Sequence, residues 1–225
     1  MAGQHVRVGA LDVPLSEAAG WVTAYFDADS NVKSKEPYAY PAYDDFTAGS
    51  GPDELNDGDL LSPVLLNVRA SIEAFHGLQA IRENLQVGLA RTSPAVTLGA
   101  AVEDGSLRDR LDGFVGVLDS NPTRGVKLTT LTKILHRKRP MFLPLHDQFV
   151  AACYLGGLPR HPMKRARART WVEYWTQMCT AIHGDLADRP SGWEKLGALT
   201  PRPVSPLRLL DVVAWHAGKA PAKYE

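Results

Sequence analysis

Charge is divided so unevenly along this chain that the division limits how it can fold. Residues 1–60 carry eleven Asp and Glu against three Lys and Arg, a net of −8; residues 124–169 carry eleven Lys and Arg against one acid, Asp147, a net of +10. Over all 225 residues the 25 bases and 25 acids cancel. Two outcomes are open to such a chain. The acidic part folds against the basic part and neutralises it, or the basic part stays uncovered as a surface for phosphates.

The apolar pattern points to a mainly α fold. The opening VRVGALDV alternates loosely and reads as a short N-terminal strand or hairpin; nothing later reads as a strong sheet. Ser16 caps a helix that sets Trp21, Val22, Tyr25 and Phe26 on one face. Residues 27–58, rich in Asp, Gly, Pro, Ser and Tyr, read as a long loop. Asp57 or Asp59 opens a helix, Ser71 caps another with Ile72, Phe75, Leu78, Ile81 and Leu85 as its core stripe, and Asp104 or Ser106 begins a third. A short helix over 128–137 leads to a connector bounded by Pro140 and Pro144, and Asp147 starts a helix over 148–155. The longest helix is expected over 164–187 with Trp171 and Trp175 inward, and Ser205 with Pro206 begins the last. These amount to about eight helices in one domain, 1–225.

No stretch approaches the roughly 18 apolar residues of a membrane span, and the N-terminus lacks a basic cluster followed by an apolar run, so a cytoplasmic protein without a membrane partner is expected. Cys153 and Cys179 are too few for a disulfide framework and read as reduced, buried thiols. No cofactor motif occurs: there is no glycine-rich phosphate loop, no HExxH and no GxSxG. His136 and His146 flank the proline loop and with His161 and an Asp would be the residues for a metal, but spacing of this kind arises by chance, and no metal is assigned.

The segment GVKLTTLTKILHRKRPMFLPLHDQFV, from Gly125, carries the candidate chemistry. A glycine turn, a helix, a proline-bounded connector and an acid at a helix start follow one another. In this plan the chain resembles the helix-hairpin-helix (HhH-GPD) DNA glycosylase superfamily. That resemblance implies a helix-hairpin-helix glycosylase-like fold, a phosphate grip at Gly125, Val126 and Lys127, and a catalytic aspartate at Asp147. The hairpin's usual second glycine is replaced by Lys127. The lysine nucleophile of bifunctional members is missing near Thr129 and Thr130, and Lys133, one turn later, is expected to face elsewhere. The implied activity is therefore that of a monofunctional N-glycosylase, a hydrolase. A second resemblance, carried by DLLSPVLLNV, TKILHRKRPMFLPLHDQFV and SPLRLLDVVAWHAG, is to an actinobacterial family of uncharacterised domains and brings no activity.

Independently of any family, a fixed carboxylate stabilises the oxocarbenium-like sugar formed as an N-glycosidic bond breaks. Surrounding cations hold it ionised and neutralise strand phosphates. Gly125, Lys127, Lys133, Arg137, Lys138, Arg139, Lys164, Arg165 and Arg167 are the nucleic-acid-binding candidates, for DNA ahead of RNA. Tyr38, Tyr40, Tyr43, His136, His146 and Trp171 are candidates for a pocket that receives a flipped base. Asp147 as a plain helix cap or an ion-pair partner of Arg137 or Arg139, non-catalytic DNA or RNA binding, an interaction protein, and a small-molecule enzyme with an internally neutralised charge split are the alternatives.

Overall fold

The structure, a computed structural model, describes residues 4–33, 42–120, 124–157, 159–166 and 168–224; Tyr38, Tyr40 and Arg167 lie outside the described residues. The N-terminal alternation forms a hairpin. β1 (His5–Val8) pairs antiparallel with β2 (Leu11–Pro14), and Val6, Val8, Leu11 and Val13 turn one fully buried face inward. Gly9 takes φ +63° at the turn, and its amide donates to Asp185 Oδ2 at 2.5 Å. A Cβ there would lie 2.1 Å from the carbonyl oxygen of Cys153.

The rest is mainly helical. In chain order come α1 (Leu15–Phe26), α2 (Ala28–Val32), α3 (Ala42–Asp45), α4 (Asp57–Leu61), a 3-10 turn (Ser62–Leu66) and α5 (Ile72–Arg91). Then follow α6 (Leu98–Glu103), α7 (Leu107–Val115), α8 (Val117–Ser120), α9 (Leu128–Lys138), α10 (Gln148–Tyr154), α11 (Trp171–Asp188), α12 (Pro190–Gly197) and α13 (Pro206–Ala217). Helix α7 packs between α5 and α11, while α13 packs on α1 and α10. Among the described residues no helix is long and apolar enough to cross a membrane.

Several expectations are corrected. The helices are more numerous and shorter than the eight expected, because α2 and α3 interrupt the supposed 27–58 loop and α6 and α12 are too short to show a period. Helix α1 begins at Leu15 without a side-chain cap, so Ser16 lies inside it. The described residues from Lys164 to the cap at Thr170 are not helical. Thr170 instead forms a capping box with Glu173, which starts α11 at Trp171 and leaves that ring 41% exposed. The longest helix is α5; Ser71 caps it as expected, and Leu78, Ile81 and Leu85 are core, but Ile72 on its first turn faces solvent.

The charge division is largely settled inside the fold. Arg139 is fully buried and donates to the carbonyls of Leu89, Thr92 and Pro52 and to Asp53. Lys138 pairs with buried Asp59 at 3.2 Å and bonds Ser50 Oγ at 2.7 Å. Arg137 donates to the carbonyls of Tyr43 and Phe46 and lies over both rings. On α13, Arg208 is buried between Asp44, Asp211 and the Tyr25 hydroxyl. Acidic N-terminal side chains thus clasp the end of α9 and the start of α13.

Gly9→Ala is expected to cost about 2 kcal/mol or more, combining a left-handed backbone with an overpacked contact. Urea unfolding midpoints of the two proteins check this, and equal midpoints would refute it.

Candidate functional site

The site begins at the turn before α9. Gly125 has φ +79°, and a Cβ there would press on the Ala74 backbone at 3.1 Å, so the turn seats against the first turn of α5. Lys127 is exposed and precedes α9, whose residues Leu128, Leu131, Ile134 and Leu135 are core. With so much of its surface covered, α9 also carries polar groups inward: Thr132, Lys133 and His136 are all buried.

The connector after α9 is tied back to it. His136 meets the Leu143 carbonyl at 2.6 Å through Nδ1, which must therefore carry the hydrogen, and burial lowers its pKa to about 4. His146 sits 3.2 Å from Thr129 Oγ1 and 2.9 Å from the Tyr174 hydroxyl, edge-on to Trp175; burial lowers its pKa to about 4 as well. These ties fix Asp147. Its Oδ1 accepts the amides of Phe149 at 2.8 Å and Val150 at 2.9 Å, capping α10. Both bonds use one oxygen, and Oδ2 has no hydrogen-bond or ion-pair partner among the described residues.

Asp147 lines a cleft of about 890 Å³ between the 125–127 turn, α9, the 62–69 segment, the start of α10 and α13. Lys133 lines it too. It is 4% exposed, and its ammonium has no hydrogen-bond or ion-pair partner among the described residues. Desolvation lowers its pKa, opposed by the charges of Asp211 and Asp147. Asp211 is raised to about 6 by burial, opposed by Arg208 and Lys133. Lys127, Arg69 and Lys219 add positive charge, while Tyr25, Phe149 and Trp215 add aromatic surface. Lys219 Nζ lies 3.2 Å from the centre of a Trp215 ring.

Of the residues singled out from sequence, Gly125, Lys127, Lys133 and Asp147 therefore share one cleft. Lys133 does not face elsewhere, because it follows Thr129 by four residues and stands on the same face of α9. Tyr43, His136, Arg137 and Lys138 line a different cleft, of about 800 Å³, and Arg139 is interior. Lys164 and Arg165 are exposed in the segment before α11; Trp171 is outside both clefts. His146 stands behind the Asp147 connector. Among the described residues no three His, Cys, Asp or Glu gather as a metal centre would require. Asp211, Trp215 and Arg69 were not anticipated. Arg208 and Asp211, charged three apart inside the apolar SPLRLLDVVAWHAG, are the signal that marks a buried pair there.

The chain belongs to a family of unknown function (DUF6308), whose model matches residues 18–218 and so takes in the residues that line the cleft except Lys219. No curated protein and no solved structure matches it.

The buried histidines fix a pH dependence. His136 and His146 bind protons near their ordinary 6.5 when unfolded but only near 4 when folded. The unfolded state therefore holds more protons between these values, and stability falls as pH drops through that window. Asp185 and Asp211, raised to about 6, act in the opposite sense over part of it. His136→Gln, whose amide can still donate to Leu143, is expected to flatten the loss of stability between pH 6.5 and 4. Denaturant midpoints across that range measure it; an unchanged slope would count against a neutral buried His136.

Proposed function

We propose that this family member is a nucleic-acid-interacting protein whose Asp147 cleft accommodates a strand and its nucleoside, with N-glycosidic bond hydrolysis of the monofunctional kind as its reaction. The observation that carries this reading is the division of labour on Asp147. One oxygen is locked by two backbone amides and the other is uncommitted in a cleft that also holds Lys127 and Lys133. A carboxylate held this way can stand beside a developing sugar cation and orient water without reorganising. The base then leaves with the bonding electron pair, and water adds at the sugar carbon.

The order of turn, helix, proline-bounded connector and capping aspartate is that of the helix-hairpin-helix glycosylase superfamily, and the sharing of one cleft by Gly125, Lys127 and Asp147 supports the likeness. Thr129 and Thr130 also line the cleft where a bifunctional member would carry its lysine, which favours water as the nucleophile. Trp215 and Phe149, 6.2 Å apart and edge-on, supply an aromatic wall for a base. Lys164 and Arg165, exposed in the segment before α11, are further cations for phosphates, DNA ahead of RNA.

A second reading has its own observation. Arg137, Lys138 and Arg139 are occupied by the N-terminal segment, which shrinks the basic surface and favours a small-molecule substrate in the same cleft.

Asp147→Asn separates chemistry from folding, because Asn also caps helices well. On a panel of duplexes carrying damaged bases, the wild-type protein is expected to release base and the variant to fall by about 10²-fold or more. Release that survives the substitution would remove Asp147 from the reaction. Lys127→Ala is expected to weaken strand binding for all sequences alike and to lower the salt slope by about one. Titrations at several salt concentrations read both, and an unaltered slope would place Lys127 off the strand.

A further inference from the structure

Lys133 stands apart from the other cations of the cleft. Arg69, Lys127 and Lys219 are exposed, whereas Lys133 is 4% exposed and still lines the cleft. Its stem is packed away, but the ammonium is not one of the sealed, unpartnered polar atoms of the protein, so it meets the space of the cleft. No described residue accepts a hydrogen bond from it or pairs with it. Asp211 bonds Arg208, and Asp147 Oδ1 is spent on α10. Desolvation lowers the pKa of Lys133 against the charges of Asp211 and Asp147, and an arriving anion adds to their side. A cation with three donors, little exposure and no acceptor is a place for an oxyanion.

Access and charge together say which oxyanion. A side chain this enclosed is approached end-on. A phosphate inside a strand carries an ester on each side and needs an open groove, while a terminal monoester presents three free oxygens and is tied on one side only. Arg69, Lys127, Lys133 and Lys219 line the cleft against Asp147 and Asp211, and Asp211 is already matched by Arg208. That surplus of positive charge suits a phosphate monoester, which carries about −1.5 to −2 at neutral pH, better than a singly charged diester or carboxylate. Phe149 and Trp215 give the same cleft a flat apolar flank. We propose that the cleft takes a free nucleoside 5′-monophosphate, with the Lys133 ammonium holding the terminal phosphate and Phe149 and Trp215 flanking the base. This rests on the reading of the cleft as a nucleoside site and changes its occupant from a strand to a small nucleotide.

Full-length protein is titrated calorimetrically with the 5′-monophosphates of adenosine, guanosine, cytidine and uridine, with the parent nucleosides, and with the methyl phosphodiester of each monophosphate. A single-stranded oligonucleotide with hydroxyls at both ends makes the last arm. At least one monophosphate is expected to bind about tenfold or more tighter than its nucleoside and its methyl diester. In Lys133→Met, which removes the charge and keeps a long unbranched side chain, that advantage is expected to vanish while nucleoside affinity holds. An advantage that survives in the variant takes the phosphate away from Lys133 and overturns the proposal. A wild-type protein that binds no monophosphate, or binds each no tighter than its nucleoside or its diester, overturns it whatever the variant does. So does an oligonucleotide that binds as tightly as the best monophosphate and loses as much in Lys133→Met, which gives the ammonium to a strand. None of these titrations reads release of a base. Monophosphate binding without release from damaged duplexes retires the strand glycosylase and keeps the nucleotide site, and release without monophosphate binding does the reverse.

Discussion

The guanidinium of Arg208 is the contact on which most of the molecule's middle depends. It is 1% exposed, reaches Asp44 on α3 at 3.2 Å, Asp211 on its own helix and the Tyr25 hydroxyl on α1 at 3.1 Å, and lies between the Tyr25 and Tyr43 rings. A planar guanidinium spreads five donors over three nitrogens in a fixed fork, so it reaches acceptors on several sides, where a lysine has three donors on one nitrogen. Desolvating such a group is costly, and removing one partner of a buried pair leaves the other charge stranded, so the cluster holds together as a unit. It also stands between the two clefts: Arg208 and Tyr43 line one, and Asp211 and Tyr25 line the other. The floor of the Asp147 cleft is therefore as rigid as the packing of α1, α3 and α13.

Around this cluster the opposed charges of the chain are sorted into two populations. Cations at the end of α9 and the start of α13 fold inward and meet the N-terminal acids or carbonyls. Those at the 125–127 turn and before α11 stay in solvent. Neutralisation and an open basic surface, which the sequence poses as alternatives, thus divide the cations between them. The inward ones do structural work: Arg139 alone ties the end of α9 to the end of α5 and to the 52–53 segment.

Caps and turns were legible because their chemistry is local. Ser71, Asp147 and Ser205 each accept the amides that their side chains are shaped for, and the hairpin follows from its alternation. The start of α11 was missed because the 164–169 residues suit a helix but Thr170 and Glu173 together specify a later beginning. At the site, Asp147 stood out as a lone acid among bases, whereas Asp211 is marked only when read together with Arg208 three residues earlier, and Trp215 is one apolar residue among several in an amphipathic helix. The burial of Lys133 was beyond reach from sequence. It depends on α9 being covered on nearly every side, which only the tertiary arrangement of the 3-10 turn, α10 and α13 decides.

The two oxygens of Asp147 impose different demands on the side chain at this position. Oδ1 needs the short reach that Asp and Asn share, and a Glu would carry its carboxylate one methylene beyond the amides of Phe149 and Val150. Oδ2 needs the charge that Asp and Glu share and Asn lacks. Natural variation among relatives can therefore serve as an instrument. A lineage in which Asp and Asn interchange here has kept the helix and given up the charge, while one confined to Asp has been held to both, and the boundary between such lineages would mark where the cleft changed its use.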